Sequence, residues 1–302
     1  MAAATRVQVD VDGHRLSLSN LDKVMYPAVG FTKGQVIDYY TRVAPYVLPH
    51  LDGRPLTLKR YPNGVDGEFF YEKQCPSHRP DWVRTERIEA RRKAIDFCVC
   101  DDLATLVWAA NLADLELHPS LSRAEDIERP TAMAFDLDPG QPAGILECCR
   151  VGLWLRDTLA ELGLQCFPKT SGSKGLQVYA PLNTPVTYDD TKPLANALAR
   201  HLESQHPELV VSSMKKELRG GKVLIDWSQN DEHKTTVCVY SLRARESPTV
   251  STPLEWDEVE AALAAEDAGA LVFEAEEVLE RTAERGDLFE PVVRLEQELP
   301  EL

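Results

Sequence analysis

The stretch TAMAFDLDPG, residues 131–140, narrows the possible folds more than any other part of the chain. Ala132, Ala134 and Leu137 belong to an apolar run that reads as a buried strand, and Pro139-Gly140 ends it. Within that run Asp136 and Asp138 stand one residue apart. Residues i and i+2 of a strand point to the same face, so both acids project side by side. Like charges that close repel, and each loses hydration when covered. A fold that keeps them must bring something positive between them.

A third acid, Asp226, ends another apolar run, VLIDWSQ. Three carboxylates on neighbouring strands can hold two divalent cations. Such a pair can activate a hydroxyl and clamp the phosphates of an in-line displacement. Hard oxygen ligands suit Mn²⁺ or Mg²⁺. An Asp-x-Asp pair alone is less specific, since it also occurs in sugar-nucleotide transferases, in nucleases and at plain strand ends. The turn TSGSKG (170–175) sharpens the case. Small residues let backbone approach a phosphate, Ser171 and Ser173 add hydroxyls, and Lys174 adds a cation. The spacing is not that of a P-loop, and an ordinary hairpin turn with an exposed lysine stays open as an alternative.

Charge at first argues against a nucleic-acid partner, because the 302 residues carry a net −16. The distribution removes the objection. Residues 251–302 hold 16 Asp/Glu against 3 Arg, which leaves only −3 for the first 250 residues. Most of the excess lies on one C-terminal segment, and the rest can carry a local basic groove. Lys59-Arg60, Lys215-Lys216, Arg219, Lys222, Lys234, Arg243 and Arg245 lie near strand ends. Each reads individually as a surface ion pair. Interleaved with the acidic strands, they also fit phosphate neutralisation. The FFY run at 69–71 could stack on bases or pack in a core. No apolar run is long enough for a membrane span, and the N-terminus lacks a secretory apolar region. The seven cysteines contain no Cys-x-x-Cys pair and fit no familiar zinc pattern, so reduced cytosolic thiols are expected.

Periodicity predicts a helix over 33–49, strands at 56–62, 94–102 and 115–120, and a helix following residue 102. A helix over about 143–162, a strand–turn–strand over 166–182 and a helix over 191–205 follow. Residues 222–229 and 235–242 read as strands that could form a hairpin, and two acidic helices close the chain. Strands and helices mix without strict alternation, which points to an α+β or mixed α/β fold. No repeat or low-complexity linker divides the chain, and one domain over 1–302 is expected.

Seven ordered blocks resemble the polymerase domain of bacterial DNA ligase D, a branch of the archaeo-eukaryotic primase superfamily. They are SNLDKVMYPAVGFTK, LTLKRYPNGVDGEFFYEK, LELHPS, AFDLDPG, FPKTSGSKGLQVYAPL, LRGGKVLIDWSQN and KTTVCVYSLRAR, within about residues 15–290. The resemblance implies a primase-polymerase core, with central mixed or antiparallel sheets flanked by helices. It implies a template-directed nucleotidyltransferase that fills short gaps or DNA ends carrying a 5′-phosphate, as in non-homologous end joining. Asp136, Asp138 and Asp226 match the metal-binding carboxylates for two Mn²⁺ or Mg²⁺. Ser171, Ser173, Lys174 and Gly175 match the nucleotide-phosphate turn. Lys59, His118, Arg219 and Arg243 match residues around the incoming nucleotide, with Gln229 nearby. Asn20, Lys23 and Lys33 match the pocket for the downstream 5′-phosphate, and Phe70 and Tyr71 match an aromatic pair that packs on the template.

The implied substrates are DNA and ribo- or deoxyribonucleoside triphosphates. The implied partners are a DNA ligase and a Ku-type end-binding protein, in a bacterial cytoplasm. Three departures stand out, the first being an extra Phe69 before the Phe70–Tyr71 pair, which is aligned from the following Glu-Lys. Gln177 occupies a position that is often His, and segment 74–100, where members carry a loop that aligns broken ends, matches least. The chain holds no KxDG nucleophile-lysine motif, so sealing of DNA is not expected of it; a stand-alone polymerase, or a domain cut from a larger protein, is. Two rival readings stay open: a sugar-nucleotide glycosyltransferase that uses the Asp-x-Asp pair, and a non-catalytic DNA-end-binding module of the same fold.

Overall fold

The computed structural model describes residues 6–89 and 93–300. Residues 90–92, inside the RTERIEARRKAID stretch of the least similar segment, lie outside the described residues. The N-terminal part begins with two short antiparallel hairpins, β1 (Arg6–Val11) with β2 (His14–Ser19) and β3 (Val24–Tyr26) with β4 (Phe31–Thr32). Helix α1 (Lys33–Leu51) follows directly. Its start is written in the sequence. The Thr32 hydroxyl accepts from Gln35 N and the Gln35 side chain accepts from Thr32 N, which satisfies two otherwise orphaned amides reciprocally. Val36, Tyr40, Val43 and Val47 recur at helical spacing and are all fully buried.

One sheet is built from β5 (Pro55–Arg60), β6 (Phe70–Glu72), β7 (Thr85–Ile88), β8 (Ile95–Val99) and, after helix α2 (Leu103–Asn111), β9 (Asp114–Pro119). All its pairings are antiparallel, with β5 between β9 and the edge shared by β6 and β8. The second sheet has the order β11-β12-β10-β14-β13. It comprises β10 (Ala132–Pro139), β11 (Phe167–Thr170), β12 (Leu176–Pro181), β13 (Val210–Val211) and β14 (Val223–Asp226), and only β13–β14 is parallel. Helices α3 (Ile145–Glu161) and α4 (Tyr188–Gln205) pack on this sheet with α5 (Trp256–Ala264). Helices α6 (Ala275–Arg285) and α7 (Glu290–Arg294) come last, and α6 packs on α1. The architecture is therefore mixed α+β. No helix among the described residues is long and apolar enough to cross a membrane.

Two expectations are corrected. Residues 235–242 do not pair with β14 as a hairpin, because both edges of β14 are already taken by β10 and β13. The segment runs instead along β9, with Thr236 N bonded to Pro119 O and Cys238 N to Leu117 O. It then breaks at Tyr240, whose φ of 63° is foreign to a strand. The segment thus joins the edge of the first sheet to the second. The cysteines are not all free thiols either. Cys75 and Cys98 form a disulfide, brought together where Cys75 N bonds to Asp96 O beside β8. The remaining five are buried thiols.

Candidate active site

The central pairing of the second sheet decides where its acids lie. In the β10–β14 ladder Asp136 is the direct partner of Asp226, and Asp138 that of Leu224. Directly paired residues share a face, as do i and i+2, so Asp136, Asp138 and Asp226 project from one side. Asn230 extends the pairing past the strand end. Its side chain accepts from Ala134 N and donates to Ala134 O, at 2.9 and 2.8 Å. The cost of this crowding shows in Asp136, whose carboxyl is pushed up to about 7 by burial first and by Asp138 next.

The three carboxylates share a face without forming a ligand sphere. Among the described residues no group of three or more His, Cys, Asp or Glu side chains is set to hold a metal. Asp226 is turned to local donors: Ser228 N at 2.9 Å, Ser228 Oγ at 2.6 Å and Gln229 Nε2 at 3.0 Å. The chemistry of the set nevertheless fits a hard divalent cation. It is all carboxylate oxygen, and its mutual repulsion is what such an ion relieves.

A cleft of about 430 Å³ opens over this face. Its lining includes Asp136, Asp138, Ser171, Ser173, Lys174, Gln177, Gln229, His118, Tyr71 and Arg243. The TSGSKG turn reaches it as the β11–β12 connection. Gly175 is there because a Cβ would lie 2.3 Å from Leu137 O, inside the neighbouring strand's backbone. The turn is partly self-satisfied: Ser171 Oγ accepts from Ser173 N at 3.2 Å and from Gly175 N at 3.1 Å. Ser171 thus shapes the loop. Lys174 is exposed at the cleft, and its ammonium makes no ion pair or hydrogen bond among the described residues.

The opposite wall comes from β5, β6 and β9 and is organised by a residue the sequence reading missed. Glu116, 2% exposed, receives Lys59 Nζ at 3.0 and 3.1 Å, Tyr61 Oη at 3.2 Å, Ala244 N at 3.1 Å and His118 Nε2 at 3.0 Å. Arg243 Nε lies 3.3 Å from Glu116 Oε2, and its guanidinium also donates to Ser171 O. Burial alone would raise the Glu116 carboxyl. The His118 hydrogen bond and the charges of Arg243 and Lys59 instead hold it well below the usual carboxylate range. Burial lowers both Lys59 and His118. Arg243 thus ties the acidic sheet's turn to the Glu116 wall. The clue lay in LELHPS: Glu116 and His118 are two apart on a strand and must share a face.

Residues 32–289 match the family model described as the LigD primase-polymerase domain. The chain belongs to this family. It is 42% identical over 280 residues to the multifunctional non-homologous end joining protein LigD of Mycolicibacterium smegmatis, covering 92% of this chain and 36% of that protein. It is 32% identical over 287 residues to the bifunctional LigD of Bacillus subtilis, covering 95% and 45% respectively. The chain therefore spans less than half the length of these LigD relatives. Among solved structures, the polymerase domain of Mycobacterium tuberculosis ligase D in complex with DNA superposes with a TM-score of 0.86 at 41% identity. That match covers 94% of this chain and 99% of the other.

Of the remaining positions singled out by the LigD resemblance, Tyr71 lines the cleft and the others lie outside its lining. Phe70 and Tyr71 are 43% and 56% exposed on β6, an unusual state for such rings. Tyr71 meets the His118 ring at 5.7 Å, and Arg60 lies over the Phe70 ring at 5.2 Å. Only Tyr71 of the pair reaches the cleft. Arg219 bonds Met214 O at 2.7 Å, and its own carbonyl would meet a Cβ at Gly140 at 1.9 Å. Asn20 sits at φ 55° before β3. Lys23 Nζ donates to Pro62 O and Lys33 Nζ to Ser19 O, at 2.5 and 2.7 Å. Lys33 is 5% exposed and is lowered to about 8 by burial first, then by Lys23 and Arg60. These three cations form a second electropositive spot.

Proposed function

We propose that the chain is a template-directed nucleotidyltransferase that adds nucleotides at short gaps or broken DNA ends bearing a downstream 5′-phosphate, as part of end-joining repair. The observation that carries this reading is that Asp136 and Asp138 line one cleft with Ser171, Ser173 and Lys174 of the TSGSKG turn, with Asp226 paired directly to Asp136 on the neighbouring strand. Family membership and the likeness to a DNA-bound polymerase domain support it. Asp136, Asp138 and Asp226 would hold two Mn²⁺ or Mg²⁺, which supply charge neutralisation and polarise the attacking hydroxyl when bound.

The chain's own residues do the rest. Lys174 brings a free ammonium to the triphosphate, and Arg219 supplies a further cation for phosphate. Arg243, held between Glu116 and Ser171 O, keeps a guanidinium fixed at the cleft with no reorganisation needed during reaction. His118, lowered by burial and fixed by Glu116, orients the nucleotide rather than carrying a proton. Gln229 holds Asp226 in place. Phe70 and Tyr71 offer faces for template stacking, each worth about 1–3 kcal/mol. Asn20, Lys23 and Lys33 take the 5′-phosphate, which as a dianion marks a DNA end.

The test is extension of a primer on a one-nucleotide gap with a 5′-phosphate, using labelled ribo- and deoxyribonucleotides in Mn²⁺ and in Mg²⁺. A glycosyltransferase would not extend it. Asp136→Ala with Asp138→Ala should abolish extension and leave 5′-phosphate-dependent DNA binding in place, unlike the outcome for a pure end-binding module. Extension that survives both substitutions overturns the assignment.

A further inference from the structure

Two strands from the acids, on the same face of the sheet, lies a buried cation that the function above does not use. Lys169 on β11 has no exposed surface. Its Nζ lies 2.5 Å from Gln177 Oε1, 2.6 Å from Ser251 Oγ and 3.1 Å from Val237 O. The Ser251 hydroxyl donates its own hydrogen to Thr170 O at 2.8 Å, so toward Lys169 its oxygen can only accept. Burial pushes Lys169 down to about 7, but three acceptors around Nζ match the three hydrogens of an ammonium, so the charged form is the one this site satisfies.

This arrangement fixes something X-ray density rarely shows, the orientation of a side-chain amide. Gln177 must turn Oε1 to Lys169, because the flipped amide would set NH₂ against NH₃⁺. Its Nε2 is then left on the cleft side, 3.3 Å from Thr236 Oγ1. The sheet register extends the line. Lys169 pairs with Gln177, Gln177 with Asp136, and Asp136 with Asp226, in one row across four strands. Residues in such a row share a face, so the amide stands between the buried cation and the acids.

We propose that Lys169 is a positioning residue: by occupying Gln177 Oε1 it locks the amide with its NH₂ toward Asp136, so that the cleft always meets a donor there. The proposal rests on the nucleotidyl-transfer reading of the cleft. Without the ammonium, the amide is free to turn its oxygen toward Asp136, where two acceptors repel. Lys169 lies outside the cleft lining and reaches the acids chiefly through Gln177.

The experiment is a double-mutant cycle on the full chain with Lys169→Met and Gln177→Leu, read by single-gap extension and by NMR of the metal-free protein labelled with ¹⁵N-glutamine. Each single variant should lower kcat at least tenfold while KM for DNA changes less than threefold. The double variant should fall within twofold of Gln177→Leu. The Gln177 side-chain amide, assigned by its loss in Gln177→Leu, should give two sharp, slowly exchanging protons in the wild type and fast exchange in Lys169→Met. Gln177→Glu keeps the acceptor for Lys169 and loses the donor, so it answers where Lys169→Met does not fold, and the same drop in kcat is expected. Penalties that multiply in the double variant, wild-type kcat in Lys169→Met or Gln177→Glu, or an amide signal indifferent to Lys169 each overturn the proposal. A wild type that extends no primer sinks the functional reading, while the amide measurement still decides whether Lys169 holds Gln177.

Discussion

Lys33 gives the sharpest prediction, because its binding role and its cost to stability come from the same three cations. Its ammonium is 5% exposed, faces Lys23 and Arg60, and is lowered to about 8 from an ordinary 10.5. The unfolded chain therefore holds this proton more tightly than the native one. Stability is reduced wherever Lys33 is charged in the native state, and the penalty fades as pH rises from about 8 toward 10.5. A shift of this size corresponds to about 3 kcal/mol at pH 7. Solvent near the pocket screens part of it, so about 1–2 kcal/mol is the working figure.

Replacing Lys33 with Met should therefore raise the melting temperature at pH 7 by a few degrees, at roughly 2 °C per kcal/mol for a chain of this size. The gain should shrink by pH 9.5. Scanning calorimetry of both proteins at the two pH values measures it. Binding should move the other way. Fluorescence anisotropy with gapped duplexes ending in 5′-phosphate or 5′-hydroxyl should show a preference for phosphate in the wild type. That preference should fall as Lys33 loses its proton between pH 7 and 9.5, and it should be largely lost in Lys33→Met at pH 7. A charge-assisted contact of about 1.5–3 kcal/mol makes the loss tenfold or more. A Lys33→Met protein that is less stable at both pH values, with an undiminished phosphate preference, would refute the reasoning.

Three other perturbations follow from the same geometry. Glu116→Gln leaves Lys59, His118 and Arg243 facing one another without their shared counter-charge, and should cost about 3–5 kcal/mol in urea unfolding together with most gap-filling activity. Gly175→Ala drives a Cβ to 2.3 Å from Leu137 O, so the turn must leave β10; extension should drop at least tenfold, with a raised KM for nucleotide, while 5′-phosphate binding by anisotropy stays at the wild-type level. Reducing the Cys75–Cys98 bond frees a loop spanning 23 positions and should lower unfolding free energy by about 3 kcal/mol on loop entropy, read by denaturation with and without dithiothreitol.

What the sequence revealed and what it hid divide along the range of the interactions. Face-sharing is local. The alternation in AFDLDPG was enough to set Asp136 beside Asp138, and the apolar spacing over 33–49 was enough to place α1. Pairing is not local. Nothing between residues 138 and 226 says that β14 lies against β10, and the strand-like composition of 235–242 concealed that β14 had no free edge left for it. Cys75 and Cys98 were equally mute, since a disulfide depends on where two loops arrive. The buried charges were hidden for a further reason. Taken one at a time, Lys59 and Arg243 each read as an ordinary surface pair, His118 as a structural histidine and Glu116 as nothing in particular, because a side chain's hydration is not written in its neighbours. Once they are assembled, Glu116 is nearly inaccessible with five polar atoms on two oxygens, and Lys169 has three acceptors for three hydrogens. Such completeness is what the burial of a charge requires, because a single missing partner leaves a desolvated ion uncompensated. The residues that hold the cleft in shape are therefore the ones a one-dimensional reading is least able to find, and the exposed Lys174 is the easiest.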